Sequence, residues 1–456
     1  MKALKRNSKK RKAAVKSSDP SRGSMGQSLV LLKGGRVIDP ASNVDAVQDV
    51  LIEDGKISKV SRSISSEGAS TIDASGKIVV PGLIDMHTHL REPGREDEET
   101  IESGTKAAAK GGFAAVCCMP NTTPPIDDQG TVRFILERAK EYGKCDVFPV
   151  GAITKGRRGG ELSEIGDLVE AGCVAISDDG SPVMNAEIMR RALEYSKQFS
   201  IPVVSHCENT DMTTGGQMNE GFISTKLGLN GWPSVAEEMM VARDIALCRY
   251  AGGRLHIAHI STRRSVELVR EAKREGLPVT CEVTPHHLTL TDDLISSFDT
   301  NLKVNPPLRT AEDVDALIAG VGDGTIDAVV TDHAPHAFFE KEVEFSAAPF
   351  GMIGLETALA LVLTEVVKKK GVSISSAIAC MSCGPAKILN LDTGTLKPGS
   401  RANVTIIDPN VKWTVDADKF ESKSRNSPYV GRELEGAAYL TMVDGHIVFK
   451  DGVILD

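Results

Sequence analysis

The stretch LIDMHTHLREPG, residues 83–94, opens on apolar residues as a buried β-strand does. It then runs into two histidines one residue apart and an arginine. Side chains two apart on a strand face the same way, so His87 and His89 can grip one ion from the strand's end. Alone, such a pair proves little, because histidines near a strand end are often satisfied polar residues. The same design recurs outward along the chain. Short apolar runs, each followed by a loop and a helical pattern, lie at 77–87, 113–120, 145–153, 173–177, 201–206, 254–260, 277–284 and 325–332. Helical patterns between them include 129–143, 185–199, 234–251, 262–275 and 310–320. Strands alternating with helices indicate a parallel sheet, and eight such units predict an α/β fold, a closed (β/α)8 barrel of the TIM type.

Both ends read differently. Residues 28–75 and 395–456 alternate apolar and polar positions between Gly-containing turns, as antiparallel strands do. Neither end has enough strands for a core of its own. They are expected to meet in a small composite β-sandwich domain, formed from 27–79 and 388–456, beside a barrel spanning 80–387. Residues 1–26 read as a disordered basic tail.

Bulk composition excludes several classes. With 456 residues, 41% hydrophobic and 25% charged, the chain reads as a soluble globular protein. It has no apolar run long enough to span a membrane, and its start lacks the apolar segment of a secretory signal, so a cytoplasmic location is expected. Residues 1–24 hold nine Lys/Arg and one Asp, a charge of +8, so the chain's −9 leaves −17 on the remainder. Such an acidic body argues against nucleic acid as a partner. The nine cysteines read as reduced thiols, and neither Cys380/Cys383 nor Cys117/Cys118 reads as a metal or redox pair.

The chemistry concentrates at the ends of the apolar runs. The fourth ends in Asp178-Asp179-Gly180, the fifth in His206, the sixth in His259 and the eighth in Asp332-His333. In a parallel barrel these ends share the C-terminal mouth, where barrel active sites are built. Leaving such groups buried and unpaired would cost several kcal/mol, which one or two divalent cations offset. Nitrogen and carboxylate donors without thiolates suit Zn²⁺ and tolerate Mn²⁺ or Co²⁺. Either Asp178 or Asp179 can supply the fourth strand's ligand, but not both, because neighbours on a strand point oppositely. His256, His286, His287, His333 and His446 read as strand, packing or loop residues. Phe338 and Phe339 lie in a loop after the eighth run, where they could cover the mouth or meet a partner subunit.

With these residues in view, the chain resembles the dihydroorotases of the amidohydrolase superfamily, in the longer bacterial type. The resemblance covers roughly 28–456 and rests on DMHTHLREPG, MPNT (119–122), ISDDG (176–180), SHCE (205–208), AHIST (258–262), KVNPPLR (303–309), TDHAPH (331–336) and APFGMIGLET (348–357). It implies one Zn²⁺ on His87, His89 and Asp332 and a second on His206 and His259. Asp179 would bridge the two, where many relatives carry a carboxylated lysine. It places substrate contacts on His89, Arg91, Asn121, Asn305, His336, Phe350 and Gly351. The substrate pair it implies is N-carbamoyl-L-aspartate and dihydroorotate, whose exocyclic carboxylate Arg91 can clamp bidentately.

The implied reaction is the reversible ring closure of pyrimidine biosynthesis. Metal coordination supplies hydroxide near neutral pH, the hydroxide attacks the ring carbonyl, and Asp332 shuttles the proton to the departing nitrogen. Two rivals stand beside this reading. One is a sister cyclic amidohydrolase such as a hydantoinase, dihydropyrimidinase or allantoinase. The other is a non-catalytic scaffold for aspartate transcarbamoylase. Retention of all six candidate ligands argues for catalysis, and the resemblance admits both a homodimer and a complex with the transcarbamoylase.

Overall fold

A computed structural model describes residues 29–456; the expected basic tail, 1–26, lies outside them. Eight parallel strands form one sheet in sequential order: β1 Leu83–Thr88, β2 Phe113–Cys118, β3 Asp146–Gly151, β4 Ala175–Ser177, β5 Pro202–Ser205, β6 Arg254–Ile257, β7 Val279–Val283 and β8 Ala328–Val329. Helices alternate with them: α1 Ile101–Lys110, α2 Gln129–Tyr142, α3 Ile165–Ala171, α4 Ala186–Ser196, α5 Val235–Ala251, α6 Arg263–Arg274, α7 Ala311–Asp323 and α8 Ile374–Met381. This is the (β/α)8 barrel that the alternating pattern predicts. β8 is short, and the ring is closed just beyond it. Thr88 bridges His333 in parallel, and the Thr331 N–H donates to the Asp85 carboxylate.

Local sequence explains where the helices begin. Thr100, Asp128 and Thr262 cap α1, α2 and α6 by accepting from backbone N–H groups two or three residues on. In α4 the buried positions Met189, Ala192, Leu193 and Ser196 follow helical spacing and face the barrel.

The two chain ends form a second sheet of nine strands, paired in the order 453–454, 446–450, 433–443, 404–414, 78–81, 29–39, 44–53 and 56–61, with 70–73 also on 29–39. Leu32, Val50, Ile52 and Ile57 from the first end share one core with Ile406, Leu440 and Met442 from the last, so the sheet folds over on itself. Most pairs are antiparallel, as the alternation predicts, but Leu29–Asp39 runs parallel to both Ser70–Asp73 and Ile78–Pro81.

The apolar run 77–87 serves both sheets. Ile78–Pro81 pairs with Val404–Ile407 in the end sheet, and Leu83–Thr88 enters the barrel. Gly82 separates them because nothing larger fits: a Cβ there would stand 2.5 Å from the Ala114 Cβ and 3.1 Å from the Asn403 carbonyl carbon. Gly82→Ala is therefore expected to destabilise the fold by about 1–3 kcal/mol, the usual cost of overpacking. Thermal unfolding of the variant beside the parent checks this.

Candidate metal centre

Six side chains from five strand ends meet at the C-terminal mouth. His87 and His89 come from the end of β1, Asp179 follows β4, His206 follows β5, His259 follows β6 and Asp332 follows β8. Asp332 Oδ1 stands 3.0 Å from His89 Nε2 and 3.6 Å from His87 Nε2. His206 Nδ1 and His259 Nε2 are 2.9 Å apart. Asp179 lies between the two sets. Its Oδ1 is 3.3 Å from His87 Nε2, 3.7 Å from His206 Nδ1 and 3.6 Å from His259 Nε2, while its Oδ2 is 3.6 Å from His89 Nε2. The donor atoms of His87, His89 and Asp179 form one metal-sized group, and those of Asp179, His206 and His259 form another. Asp178 turns away and accepts from the Thr154 N–H at 3.0 Å and from its hydroxyl.

The donors fit a divalent cation on a structural criterion. His87 Nε2 and Asp179 Oδ1 are both buried and make no hydrogen bond. Native interiors seldom leave such atoms unpartnered, so their convergence marks a position for a ligand. Strain is concentrated here as well. Arg91, His259 and Asp332 have φ of 60°, 27° and 47°, in the left-handed region that non-glycine residues rarely occupy.

Carboxylates and an amide behind the ligands fix which ring nitrogen faces inward. Glu282 Oε1 accepts from His87 Nδ1 at 2.6 Å, and its Oε2 lies 3.0 Å from His256 Nε2. Glu208 Oε2 holds His206 Nε2 at 3.0 Å and accepts from Asn305 Nδ2 at 3.0 Å. Asn121 Oδ1 takes His89 Nδ1 at 2.7 Å.

Charge is tightly coupled within this cage. Burial disfavours a proton on His87, yet Asp179 and Glu282 outweigh it and hold its pKa well above the ordinary value. Burial raises the carboxylates in turn, but the surrounding imidazoles dominate. Asp179 and Asp332 are held well below the usual carboxylate range, and Glu282 is drawn to about 2. Two ionised carboxylates therefore face one another across four imidazoles, a donor set suited to a cation.

The residues expected to contact substrate ring this cage. Arg91 makes its contacts through Nε, to Glu98 Oε2 at 2.8 Å and Pro335 O at 3.1 Å; no hydrogen bond among the described residues engages its terminal nitrogens. Asn305 Oδ1 is buried without a partner. His336 donates from Nε2 to Phe350 O at 2.8 Å. Gly351 is already committed, its N–H to Lys303 O at 2.8 Å and its carbonyl to Asn426 Nδ2 at 3.2 Å. An open cavity of about 460 Å³ beside the cage is lined by Arg157, Glu208, Trp232, Asn305 and Phe350 among others.

Of the other histidines, His256 is buried against Glu282 and Thr280, His287 on Pro306 O and His333 on Glu99, His446 is exposed in the end sheet, and His286 is buried with its Nε2 unpartnered. Phe338 and Phe339 stand 73% and 67% exposed. All nine cysteines are free, eight of them buried. The sequence reading missed Glu98, Glu208 and Glu282 as supports. Glu282 left one trace, a lone charge inside the apolar run LPVTCEVT.

The model of the family described as Dihydro-orotase-like matches residues 76–265. A dihydroorotase of Geobacter metallireducens is 53% identical over 422 residues, covering 92% of this chain and 99% of the relative. That of Acetivibrio thermocellus is 51% identical over 426 residues, covering 93% and 100%. Among solved structures, the L-hydantoinase of Arthrobacter aurescens superposes with a TM-score of 0.85 at 29% identity, covering 94% of this chain and 97% of that one. The dihydropyrimidinase of Brevibacillus agri, at 23% identity and a TM-score of 0.82, shares the fold.

Proposed function

The chain belongs to the dihydroorotase family of cyclic amidohydrolases, and from this premise we propose that its barrel mouth interconverts N-carbamoyl-L-aspartate and dihydroorotate in pyrimidine biosynthesis. His87, His89 and Asp332 would hold one Zn²⁺, His206 and His259 a second, and Asp179 both. Zinc held there would supply Lewis-acid polarisation of a carbonyl oxygen and a lowered pKa, toward ~7, for water. Asp332, kept ionised by its imidazole neighbours, takes the proton of the attacking water and returns it to the departing ring nitrogen. In the closing direction Asp332 takes the proton of the ureido nitrogen as that nitrogen attacks the side-chain carboxyl carbon, and passes it to the departing hydroxide, which leaves as water.

The observation that carries the substrate assignment is Arg91. It reaches the mouth from the loop after β1 with its Nε committed and its terminal pair open, the geometry for a bidentate grip on a carboxylate. A hydantoin or dihydrouracil ring carries no such group. Asn305 Oδ1 can accept from the ring N–H, and the amide nitrogen of Asn121 remains available as a donor. Arg91→Met is expected to raise KM for carbamoyl-aspartate about 100-fold, ~3 kcal/mol, as for removal of one partner of a desolvated charge pair. Zinc content should stay at the parent value. Loss of zinc, or an unchanged KM, overturns the role given to Arg91.

Side-by-side assays of carbamoyl-aspartate, hydantoin and allantoin, with metal analysis of the same preparation, test the reaction and the ion count together. Assembly as a homodimer, or with aspartate transcarbamoylase, is compatible with this reading, and co-elution with the transcarbamoylase tests the latter.

A further inference from the structure

Two candidate substrate contacts, Arg91 and His336, converge with Arg95 on one buried carboxylate outside the metal cage. Glu98 lies in the loop between β1 and α1 and is 2% exposed. Its Oε2 pairs with Arg91 Nε at 2.8 Å, and its Oε1 stands 3.0 Å from Arg95 Nη2 and 3.3 Å from His336 Nδ1. His336 Nδ1 is itself buried and makes no hydrogen bond, while Nε2 of the same ring donates to Phe350 O. One carboxylate thus spans the loop after β1, which carries Arg91, and the loop after β8, which carries His336 and Phe350.

Glu98, His336 and Glu340 also lie close enough to hold a metal ion. Two guanidinium groups already fill that role. Arg91 and Arg95 pair with Glu98, and Arg95 Nη2 is 2.8 Å from Glu340 Oε1. A cation would have to displace both, so the cluster reads as an anion-recognition frame. The loops keep a tether independent of the Glu98 carboxylate. The Ser424 hydroxyl lies 2.8 Å from both the Glu98 and His336 carbonyl oxygens.

We propose that Glu98 is a positioning residue for substrate recognition, holding Arg91 toward the carboxylate outside the reacting ring and bracing its loop against the loop after β8 through His336. This rests on the reading of Arg91 as the carboxylate contact. Pairing through Nε aims the open face of the guanidinium at the mouth. It also balances the charge of Arg91 while no substrate is bound, so the arginine need not fold back onto Asp332.

The test is a double-mutant cycle on the zinc-loaded enzyme. Glu98→Gln is expected to raise KM for carbamoyl-aspartate about 10-fold with kcat within about 2-fold, the pattern of lost binding rather than lost chemistry. Zinc content should stay near the parent's, because Glu98 contacts none of the six donors and the Ser424 tether persists. In an Arg91→Met background the same change should add nothing, since Glu98 acts through Arg91. Glu98→Asp, which keeps the charge with a shorter reach, should fall between the parent and Glu98→Gln. A full additional rise in the Arg91→Met background, or no change in KM from either Glu98 variant, overturns the proposal. An unchanged KM in Arg91→Met alone would instead remove the carboxylate reading beneath it.

Discussion

Asp332→Asn is expected to leave a folded protein that turns over about 10³-fold more slowly, or worse, within the range that general acid–base groups contribute. The argument is geometric and electrostatic. Asp332 Oδ1 sits 3.0 Å from His89 Nε2, and its carboxyl is held ionised by His89, His87 and His259 against the effect of burial. Asparagine keeps an oxygen for His89 but cannot carry a proton between water and the ring nitrogen. In the proposed mechanism one carboxylate serves opening and closing, so both directions should fall together. Assays in the two directions, with circular dichroism to verify folding, check the prediction. Retained turnover in either direction would take the shuttle away from Asp332.

Asp179→Ala should have the larger effect on the metal itself. Asp179 alone lies within 3.7 Å of all four imidazoles. Without it, four ring nitrogens remain crowded together, with only Asp332 to balance a cation. Zinc content of the purified variant is expected to drop to a small fraction of the parent's, and turnover with it. The metal-free variant should also be less stable. Removing one member of a buried charge network typically costs about 3–5 kcal/mol. Metal analysis and thermal unfolding in the presence of a chelator check both halves. A variant that binds the parent's full zinc complement would mean Asp179 bridges nothing.

The barrel was legible in the sequence because eight short apolar runs alternate with helical patterns, and the end of β1 shows why part of the site was legible with it. His87 and His89 are two apart, so a local rule already brings them together. The end sheet was legible as alternation, but its seam was not. Nothing in the run 77–87 tells that Ile78–Pro81 leaves for another sheet; the tight passage at Gly82 depends on Ala114 and Asn403, far away in sequence. The Asp178–Asp179 pair shows a similar limit. Period-two alternation says that one of them faces the mouth, and the backbone at Thr154 decides which. The supports were the least legible. Glu282 reaches His87 across 195 positions, and Glu98 joins loops that open and close the barrel, so their roles exist only once the ring is closed.

The strand shared through Gly82 bears on the order in which the molecule can assemble. Chains fold as they emerge, N-terminal parts first. Ile78–Pro81 can pair with Leu29–Asp39 early in synthesis, but its other edge waits for Val404–Ile407. The root of the strand that presents His87 and His89 is therefore secured only when nearly all of the polypeptide has left the ribosome. A version shortened to its barrel would leave that edge bare beside the centre it is meant to preserve.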